Sequence, residues 1–159
     1  MKKKALIIRY ENLHGEKQTF ENKKTVLVGG CFDLIHFGHL KFLEKAKEQG
    51  DFLIVALESD EFIKKHKKKL PIHRQSERAE ILANLNMVDM ILLLPLFVSG
   101  KDYFDLVKLI SPQVVAVTSG DPQIKNKKKQ VEEIGGRLVK VIPLIKRFST
   151  RRIINIFDI

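Results

Sequence analysis

The stretch GCFDLIHFGH, residues 30–39, decides how this chain of 159 residues is interpreted. It follows TVLVGG, residues 25–30, an aliphatic and β-branched run whose closing glycines predict a strand that stops abruptly. Beyond the stretch, apolar residues recur at helical spacing from His39 until Gly50. Residues 30–39 are therefore predicted to connect a strand to the beginning of a helix.

The same alternation of strand and helix continues through the rest of the chain. Short apolar runs that are typical of buried strands lie at 52–57, 90–94, 114–117 and 138–142. Helical patterns lie at 76–86, 102–110, 127–134 and 150–157. Strands that alternate with helices form βαβ units with right-handed crossovers. The predicted fold is therefore α/β, a doubly wound, Rossmann-like sheet of five parallel strands with helices on both faces.

Residues 1–24 fit this alternation less well. Ala5–Tyr10 and Gln18–Phe20 lie on either side of His14-Gly15, and we predict that they form a hairpin in an N-terminal extension. Residues 25–159 are predicted to form the main domain, since a chain of this length suits a single core.

Small and acidic residues follow three of the predicted strands, at Gly29-Gly30, Ser59-Asp60 and Ser119-Gly120-Asp121. The carboxyl ends of parallel strands meet at one edge of a sheet, and doubly wound proteins bind their ligands there. We therefore expect these three segments on one rim, around a ligand.

Composition excludes several classes of protein. No apolar run approaches the roughly 20 residues that a membrane span needs. The basic start, Met1–Lys4, is followed by too few apolar residues for a signal peptide, so a cytoplasmic protein without a membrane partner is expected. The single cysteine, Cys31, allows no intramolecular disulfide and no cysteine cluster for zinc.

The formal net charge of +10 indicates anionic partners. The lysines form local runs at Lys2–Lys4, Lys64–Lys65, Lys67–Lys69, Lys125 and Lys127–Lys129. These runs contain almost no aromatic residues on which bases could stack, which disfavours a nucleic-acid partner. Most of the lysines are interpreted as solvated surface, and the run at 67–69 as a candidate phosphate contact.

His36 and His39 are three residues apart, so on a first helical turn they share one face. Two imidazoles beside a helix N-terminus can contact two oxygens of a triphosphate, and Gly38 between them lets a nucleotide lie close to the backbone. Alone, such a pair is more often a pair of surface histidines. The pair also lacks the i, i+4 spacing and the partnering glutamate of a helical zinc site, so we predict no metal ligands in the chain.

The context of the pair is more specific than the pair itself. Residues 30–40 closely resemble the signature of the cytidylyltransferase-like nucleotidyltransferase superfamily, whose H-x-G-H element follows the first strand. Three further segments resemble its other elements, in order and at compatible spacing: Arg74–Leu82, Ser119-Gly120-Asp121 and Phe148-Ser149-Thr150. The most similar members are bacterial heptose 1-phosphate adenylyltransferases and glycerol-3-phosphate cytidylyltransferases. Ethanolamine-phosphate cytidylyltransferases and archaeal FAD synthases share the same skeleton.

The resemblance implies a reaction. A phosphate of the acceptor attacks the α-phosphorus of ATP or CTP, pyrophosphate leaves, and AMP or CMP is joined to a small phosphorylated metabolite. A sugar phosphate such as heptose 1-phosphate is the favoured acceptor, with Mg²⁺ as cofactor and the nucleoside triphosphate as co-substrate. Residues 25–159 would then be the nucleotidyltransferase domain, and a homodimer is an assembly that the resemblance allows.

The resemblance also implies roles for individual residues. The catalytic candidates are His36, His39 and Arg78, with Arg78 offering donors to the substrate or the triphosphate. The candidates for nucleotide binding are Gly30, Cys31, Phe32, Asp33, Gly38, Lys68, Gly120, Asp121, Ser149 and Thr150. Several have plain structural alternatives: Asp33 as a turn former, Cys31 as a packed residue and Ser149 as a helix cap. Lys68 stands for one of the three lysines 67–69, among which the sequence does not choose.

Two departures leave other functions open. Arg151 stands where the superfamily has the last threonine of its S-T-T element, and Pro122–Lys125 lacks the aromatic residue expected in heptose enzymes. A nucleotide-binding module without turnover is therefore a second hypothesis, and a nucleic-acid binder that uses the lysine runs is a third.

Overall fold

The computed structural model describes residues 4–143, 145, 147 and 149–157. Six strands lie in these residues: β1 (Leu6–Arg9), β2 (Thr25–Gly30), β3 (Phe52–Leu57), β4 (Met90–Leu93), β5 (Val114–Thr118) and β6 (Arg137–Ile142). All pair in parallel in one sheet, in the order β1-β4-β3-β2-β5-β6.

The helices of the described residues are α1 (Leu13–Glu16), α2 (Phe37–Lys47), α3 (Asp60–Lys67), α4 (Gln75–Ala83), α5 (Gly100–Ile110), α6 (Ile124–Glu133) and α7 (Thr150–Phe157). Short 3₁₀ turns at Tyr10–Asn12 and Lys17–Thr19 flank α1. None of these helices is long and apolar enough to cross a membrane.

The sheet is buried on both faces, because successive residues of a strand point to opposite sides. In β2, Val26 and Val28 join a core cluster with α2 and α4, whereas Leu27 joins a second cluster with α5 and α6. Every residue of β3 is buried, as its unbroken apolar run predicts. The predicted doubly wound α/β fold is confirmed.

The winding of the chain changes direction between β2 and β5. The chain runs from β2 outward to β3 and β4 by way of α2, α3 and α4, and then returns to β5 and β6 by way of α5 and α6. Helices therefore leave the ends of β2 and β5 towards opposite faces. This opens a crevice at the carboxyl ends of the two strands, which is where open α/β sheets bind ligands.

The sheet has one strand more than the five predicted, and the extra strand lies in the N-terminal extension. Residues 6–9 pair in parallel with β4, in register from Leu6 opposite Met90 to Arg9 opposite Leu93. They are not the first arm of a hairpin, since Lys17–Thr19 forms a 3₁₀ turn and Leu13 and Phe20 are buried in the core. A hairpin is the local way to pair such a strand, but β4, far along the chain, offers an edge that would otherwise be open.

Helix α3 is missing from the sequence prediction, although its sequence has clear end signals. The hydroxyl of Ser59 accepts a hydrogen bond from the amide of Phe62 at 3.1 Å, as an N-cap does. Acidic residues occupy the first turn and basic residues the last, which suits the helix dipole. The lysine run beginning at Lys64 is therefore in part the last turn of a helix.

Two glycines provide a matched test of the packing. A Cβ on Gly50, between α2 and β3, would lie 2.8 Å from Cγ2 of Val26 and against the carbonyl of Lys24, whereas a Cβ on Gly100 meets nothing within 4 Å. We expect Gly50→Ala to lower the Tm by about 3–10 °C through overpacking. Gly100→Ala should leave the Tm unchanged or raise it slightly, because alanine favours helices. Equal Tm values for the two variants in thermal unfolding would contradict this packing.

Candidate active site

A cleft of about 700 Å³ lies beside the N-terminus of α2, at the carboxyl edge of the sheet. Its wall includes His36, Gly38 and His39 from the strand-to-helix loop and the first turn of α2. Lys67 and Lys69, at the end of α3 and just beyond it, form another part. Ser149, Thr150 and Arg151 contribute the start of α7. Segments that are remote in sequence thus meet around one space rich in hydrogen-bond donors.

His36 and His39 cap the helix for each other. His36 is the N-cap of α2, and its Nδ1 accepts from the amide of His39, while Nδ1 of His39 accepts from the amide of His36, both at 3.4 Å. The two rings stack with their centroids 3.8 Å apart. The predicted pair therefore lies on one face, as the spacing indicates, and both side chains line the cleft.

Burial keeps both imidazoles neutral. It lowers the pKa of His36, and together with repulsion from His36 and Lys67 it lowers the pKa of His39 to about 3. Two stacked rings beside lysines resist a positive charge, because desolvation and like charges both disfavour the protonated form. Near neutral pH the pair is therefore a pair of uncharged hydrogen-bonding groups.

Asp33 shapes the loop that carries the histidines. It is only 4% exposed, and its two carboxylate oxygens accept from the amides of Ile72 and His73 at 2.9 and 3.1 Å. The carbonyl of Asp33 accepts from the hydroxyl of Thr150 at 2.6 Å. Of its two predicted roles, these contacts match the loop-forming one. They also join the loop to the start of α7.

Two loop residues adopt backbone angles that are unfavourable for a side chain. Phe32 and Leu34 have φ of 47° and 55°. Phe32 is buried, and its ring lies 3.0 Å from the position that a Cβ on Gly30 would take. The ring of Phe32 thus packs closely over Gly30 and anchors the loop in the core, and it is not among the residues that line the cleft.

Arg78 does not do what the sequence predicts. Its side chain is fully buried, and its guanidinium donates to the carbonyls of Cys31 and Glu58 at 2.6 and 3.0 Å. It also donates to the carbonyl of His73 at 3.1 Å and to the carboxylate of Asp60 at 2.7 Å. A guanidinium occupied in this way has no access to a phosphate in the cleft. Arg78 is a positioning residue that ties the signature loop to the neighbouring strand and helix.

Lys68, which was predicted to contact phosphate, does not line the cleft. Lys67 and Lys69 line the cleft, whereas Lys68 is not among the lining residues and is exposed. Lys68 ends α3 in a left-handed conformation, with φ of 52°. This reversal of the backbone turns its side chain away from those of its neighbours, which no pattern of residue types reveals.

Cys31 lies in the signature loop. Burial raises the pKa of its thiol, and the nearby charge of Lys67 offsets this only in part. A thiol with a raised pKa is a poor nucleophile. These observations match the interpretation of Cys31 as a packed residue.

The two remaining motifs differ in how they reach the cleft. Ser149 and Thr150 line it, and Oγ of Ser149 accepts from the amide of Arg152 at 3.2 Å, so the serine both caps α7 and keeps its own proton to donate. Gly120 and Asp121 follow β5 but are not among the lining residues, and Asp121 instead pairs with Lys127 and accepts from the amide of Gln123. Phe148 of the same motif lies outside the described residues.

Comparison with known proteins agrees with this geometry. A family model described as Cytidylyltransferase-like matches residues 27–153. The bifunctional protein HldE of Geotalea uraniireducens is 36% identical over 154 residues, which cover 95% of this chain and 29% of that protein. FAD synthase of Thermococcus kodakarensis is 37% identical over 140 residues, covering 84% of this chain and 91% of that protein. The chain spans about a fifth to a third of the length of the HldE proteins it matches.

Solved structures show the same fold at low identity. The lipopolysaccharide core biosynthesis protein from Thermoplasma volcanium superposes with a TM-score of 0.62 at 22% identity, covering 77% of this chain and 97% of that one. Pantothenate synthetase from Thermus thermophilus has a TM-score of 0.68 at 15% identity, with coverage of 93% and 67%. The family match extends over most of the chain and confirms the resemblance found in the motifs. The chain belongs to the cytidylyltransferase-like family of nucleotidyltransferases.

Proposed function

We propose that the protein transfers AMP or CMP from ATP or CTP to a small phosphorylated metabolite and releases pyrophosphate. The observation that carries this proposal is the mutually capped pair His36 and His39 in a cleft lined by Lys67, Lys69 and Arg151. Such a cleft offers neutral donors and cations to a polyanion.

The capping arrangement decides which nitrogen of each ring carries the proton. A neutral imidazole has one donor nitrogen and one acceptor nitrogen. Since both Nδ1 atoms accept from backbone amides, each ring holds its proton on Nε2. Each histidine therefore presents an Nε2–H donor, suited to the oxygens of the α- and β-phosphates as charge accumulates on them.

The acceptor needs no activation by a side chain, because its phosphate is already an anion. A phosphate oxygen forms a bond to the α-phosphorus while the bond to the bridging oxygen of pyrophosphate breaks in line. Catalysis then consists of holding the two substrates in line and stabilising the charge that passes to the leaving group.

Cationic groups on two sides of the cleft suit the leaving pyrophosphate. Lys67 and Lys69 come from the end of α3, and Arg151 from the first turn of α7, where backbone amides and the helix dipole also favour an anion. The hydroxyl of Ser149 adds a donor. Thr150 is different, since its hydroxyl proton is used by the carbonyl of Asp33.

Mg²⁺ fits this site as an ion carried by the nucleotide. No group of three or more His, Cys, Asp or Glu side chains in the described residues could hold a metal ion, and the residues lining the cleft include no carboxylate. Magnesium commonly binds through substrate phosphates and keeps several waters. When bound, it would neutralise part of the charge on the triphosphate.

The relatives bear on two open choices, the phosphorylated acceptor and the nucleobase of the triphosphate. FAD synthases among them support ATP as the donor and a flavin phosphate as the acceptor. The HldE proteins, together with the resemblance of the motifs, support a sugar phosphate such as heptose 1-phosphate, which we favour. A pyrophosphate-release screen of four nucleoside triphosphates against sugar, polyol, ethanolamine and flavin phosphates tests both alternatives. Nucleotide binding without release for every pair would indicate a module without turnover.

The histidine pair gives the first prediction for this function. We expect His36→Ala and His39→Ala to lower kcat on the order of 10²–10³-fold, the usual cost of a lost transition-state donor. Because alanine also removes a helix cap, His36→Asn is the sharper variant. Asparagine is a good N-cap but does not place an Nε2–H donor in the cleft, so folding should be kept and kcat lost.

The control for the histidine variants is His14→Ala, at an exposed position in α1, which should have the wild-type rate. A wild-type kcat for His36→Asn in steady-state assays of pyrophosphate release would refute the assigned role.

Two adjacent arginines provide a matched test of the cleft. Arg151 lines it, whereas Arg152 is exposed and is not among the lining residues. Loss of a charge-assisted hydrogen bond to phosphate should raise the KM for the triphosphate about 10- to 100-fold in Arg151→Ala. Arg152→Ala should change it by less than about threefold, and equal effects in the two variants would exclude a specific contact from Arg151.

The lowered pKa values of the pair predict a pH dependence of stability. In the unfolded chain both histidines take up protons near pH 6.5, but the folded protein resists this down to lower pH, to about 3 for His39. Their contribution to stability is therefore complete above pH 6.5 and is lost as the pH falls below it, by up to about 1.4 kcal/mol per pH unit for His39 and by less for the more exposed His36. In thermal unfolding from pH 7 to pH 4, the Tm of His39→Gln should fall less steeply than that of the wild type. His14→Gln is the control, and identical slopes for His39→Gln and the wild type would contradict the prediction.

A further inference from the structure

Glu58 is a buried carboxyl group at the carboxyl end of β3 that the proposed chemistry does not use. It lies next to the signature loop, because Leu57 pairs with Gly30 and the amide of Glu58 donates to the carbonyl of Gly30 at 3.0 Å. Arg78 donates to the carbonyls of both Cys31 and Glu58. The position of Glu58 is therefore set by the same contacts that set the loop.

The two carboxyl oxygens of Glu58 differ in their partners. Oε1 accepts from the hydroxyl of Tyr103 at 2.8 Å, whereas Oε2 is buried and has no hydrogen-bond partner among the described residues. The whole residue is 7% exposed. Native proteins satisfy nearly all buried polar atoms, so a buried oxygen without a partner calls for an explanation. A hydrogen-bond donor supplied by a bound ligand is one.

The donor to Oε1 is held by an aromatic wall. The ring of Tyr103 packs edge-on against Phe97 at 5.0 Å between centroids, and Phe97 packs edge-on against Tyr10 at 5.2 Å. Burial and the nearby carboxyl raise the pKa of Tyr103, so its hydroxyl keeps its proton. Tyr10 belongs to the N-terminal extension, outside the matched residues 27–153. The extension thus supports the wall that orients Glu58.

The geometry of the transfer separates the two sides of the crevice. Lys67, Lys69 and Arg151 lie with the histidines in the cleft proposed for the leaving pyrophosphate. In-line displacement requires the acceptor to approach the α-phosphorus from the opposite direction. Tyr103 of α5 and Lys127 of α6 come from the other face of the sheet. Burial raises the pKa of Glu58, and the hydroxyl of Tyr103 and the charge of Lys127 offset this only in part. Glu58 therefore contacts the elements on the face of the sheet opposite to α2 and α4.

We propose that Oε2 of Glu58 accepts a hydrogen bond from a hydroxyl group of the acceptor, so that the acceptor is a hydroxylated phosphate ester. This inference rests on the proposed transferase function and specifies its second substrate. A hydroxyl satisfies the buried oxygen without bringing another charge out of water, which an ammonium group would do. Oε2 is covered in the ligand-free protein, so the hydroxyl enters only when a neighbouring side chain moves, and Tyr103 and Lys127 are both partly exposed.

The test compares the acceptor and nucleotide KM values of Glu58→Gln with those of the wild type. The probe is the most active acceptor among heptose 1-phosphate, glycerol 3-phosphate and FMN, with ethanolamine phosphate as the acceptor that has no hydroxyl. Glutamine can still accept from Tyr103 but places a donor where Oε2 accepts. We expect the KM for the hydroxylated acceptor to rise about tenfold or more and the KM for the triphosphate to stay within about twofold.

A second readout separates recognition from a merely structural role. The KM values are then measured with a series of analogues of the same acceptor, each of which lacks a different hydroxyl. The analogue that lacks the hydroxyl bound by Glu58 should give the same KM for the wild type and for Glu58→Gln. The Tm of Glu58→Gln should equal or exceed that of the wild type, since a neutral amide costs less to bury than a carboxylate. Tyr103→Phe should raise the acceptor KM less than Glu58→Gln does, because it only removes the group that orients the carboxyl.

Glu132→Gln, at an exposed position of α6, is the matched control and should behave as the wild type. An unchanged acceptor KM in Glu58→Gln, with an active wild type, would overturn this inference and leave the transferase function intact. A preference of the wild type for ethanolamine phosphate would overturn the assignment to a hydroxyl. A wild type that is inactive with every acceptor would overturn the proposed function, and this inference with it.

Discussion

The buried guanidinium of Arg78 is the contact on which the rest of the site depends. It joins the signature loop at Cys31, the end of β3 at Glu58 and the start of α3 at Asp60, in addition to its bond to the carbonyl of His73. Placing a charge in the interior is costly unless every donor is used, and removal of one partner of such a buried pair typically costs about 3–5 kcal/mol. The planar fork of arginine reaches several acceptors in fixed directions, which the single ammonium of lysine does not. The guanidinium thus sets the spacing between the signature loop, residues 58–60 and His73, which are separate in sequence.

With the loop held in this way, unfavourable backbone angles become tolerable. Phe32 and Leu34 are in the left-handed region, which side chains rarely adopt, and each such residue costs on the order of 1–3 kcal/mol. The buried ring of Phe32, the two amide contacts of Asp33 and the bonds from Arg78 offset this cost. The result is a rigid entry into α2, on which His36 and His39 can cap each other. In the proposed reaction, two donors are then oriented before any ligand arrives, as electrostatic catalysis requires.

In the proposed reaction, the switch in winding between β2 and β5 gives the two substrates chemically different surroundings. Lys67, Lys69 and Arg151 make one side cationic, as a triphosphate requires. The other side contains a buried carboxyl, Glu58, held by Tyr103. This asymmetry suits a reaction in which a polyanion leaves in one direction and a second substrate arrives from the other. The N-terminal extension, which no motif includes, contributes to this second side through Tyr10, whose ring packs against Phe97.

The sequence by itself determined the class of fold, the strands and most of the helices from residue 25 onward, and the histidine pair, because apolar periodicity and i, i+3 spacing are local properties. It also pointed to the family, since four motifs in order are specific. It did not determine the role of Arg78, because the sequence shows that an arginine occupies this position of the helix but not whether that side of the helix is buried. Nor could it choose among Lys67, Lys68 and Lys69, since the left-handed turn at Lys68 directs neighbouring side chains apart. The pairing of β1 with β4 and the contact between Tyr103 and Glu58 join segments far apart in the chain. Only tertiary structure decides such contacts, since long-range packing determines which surfaces meet.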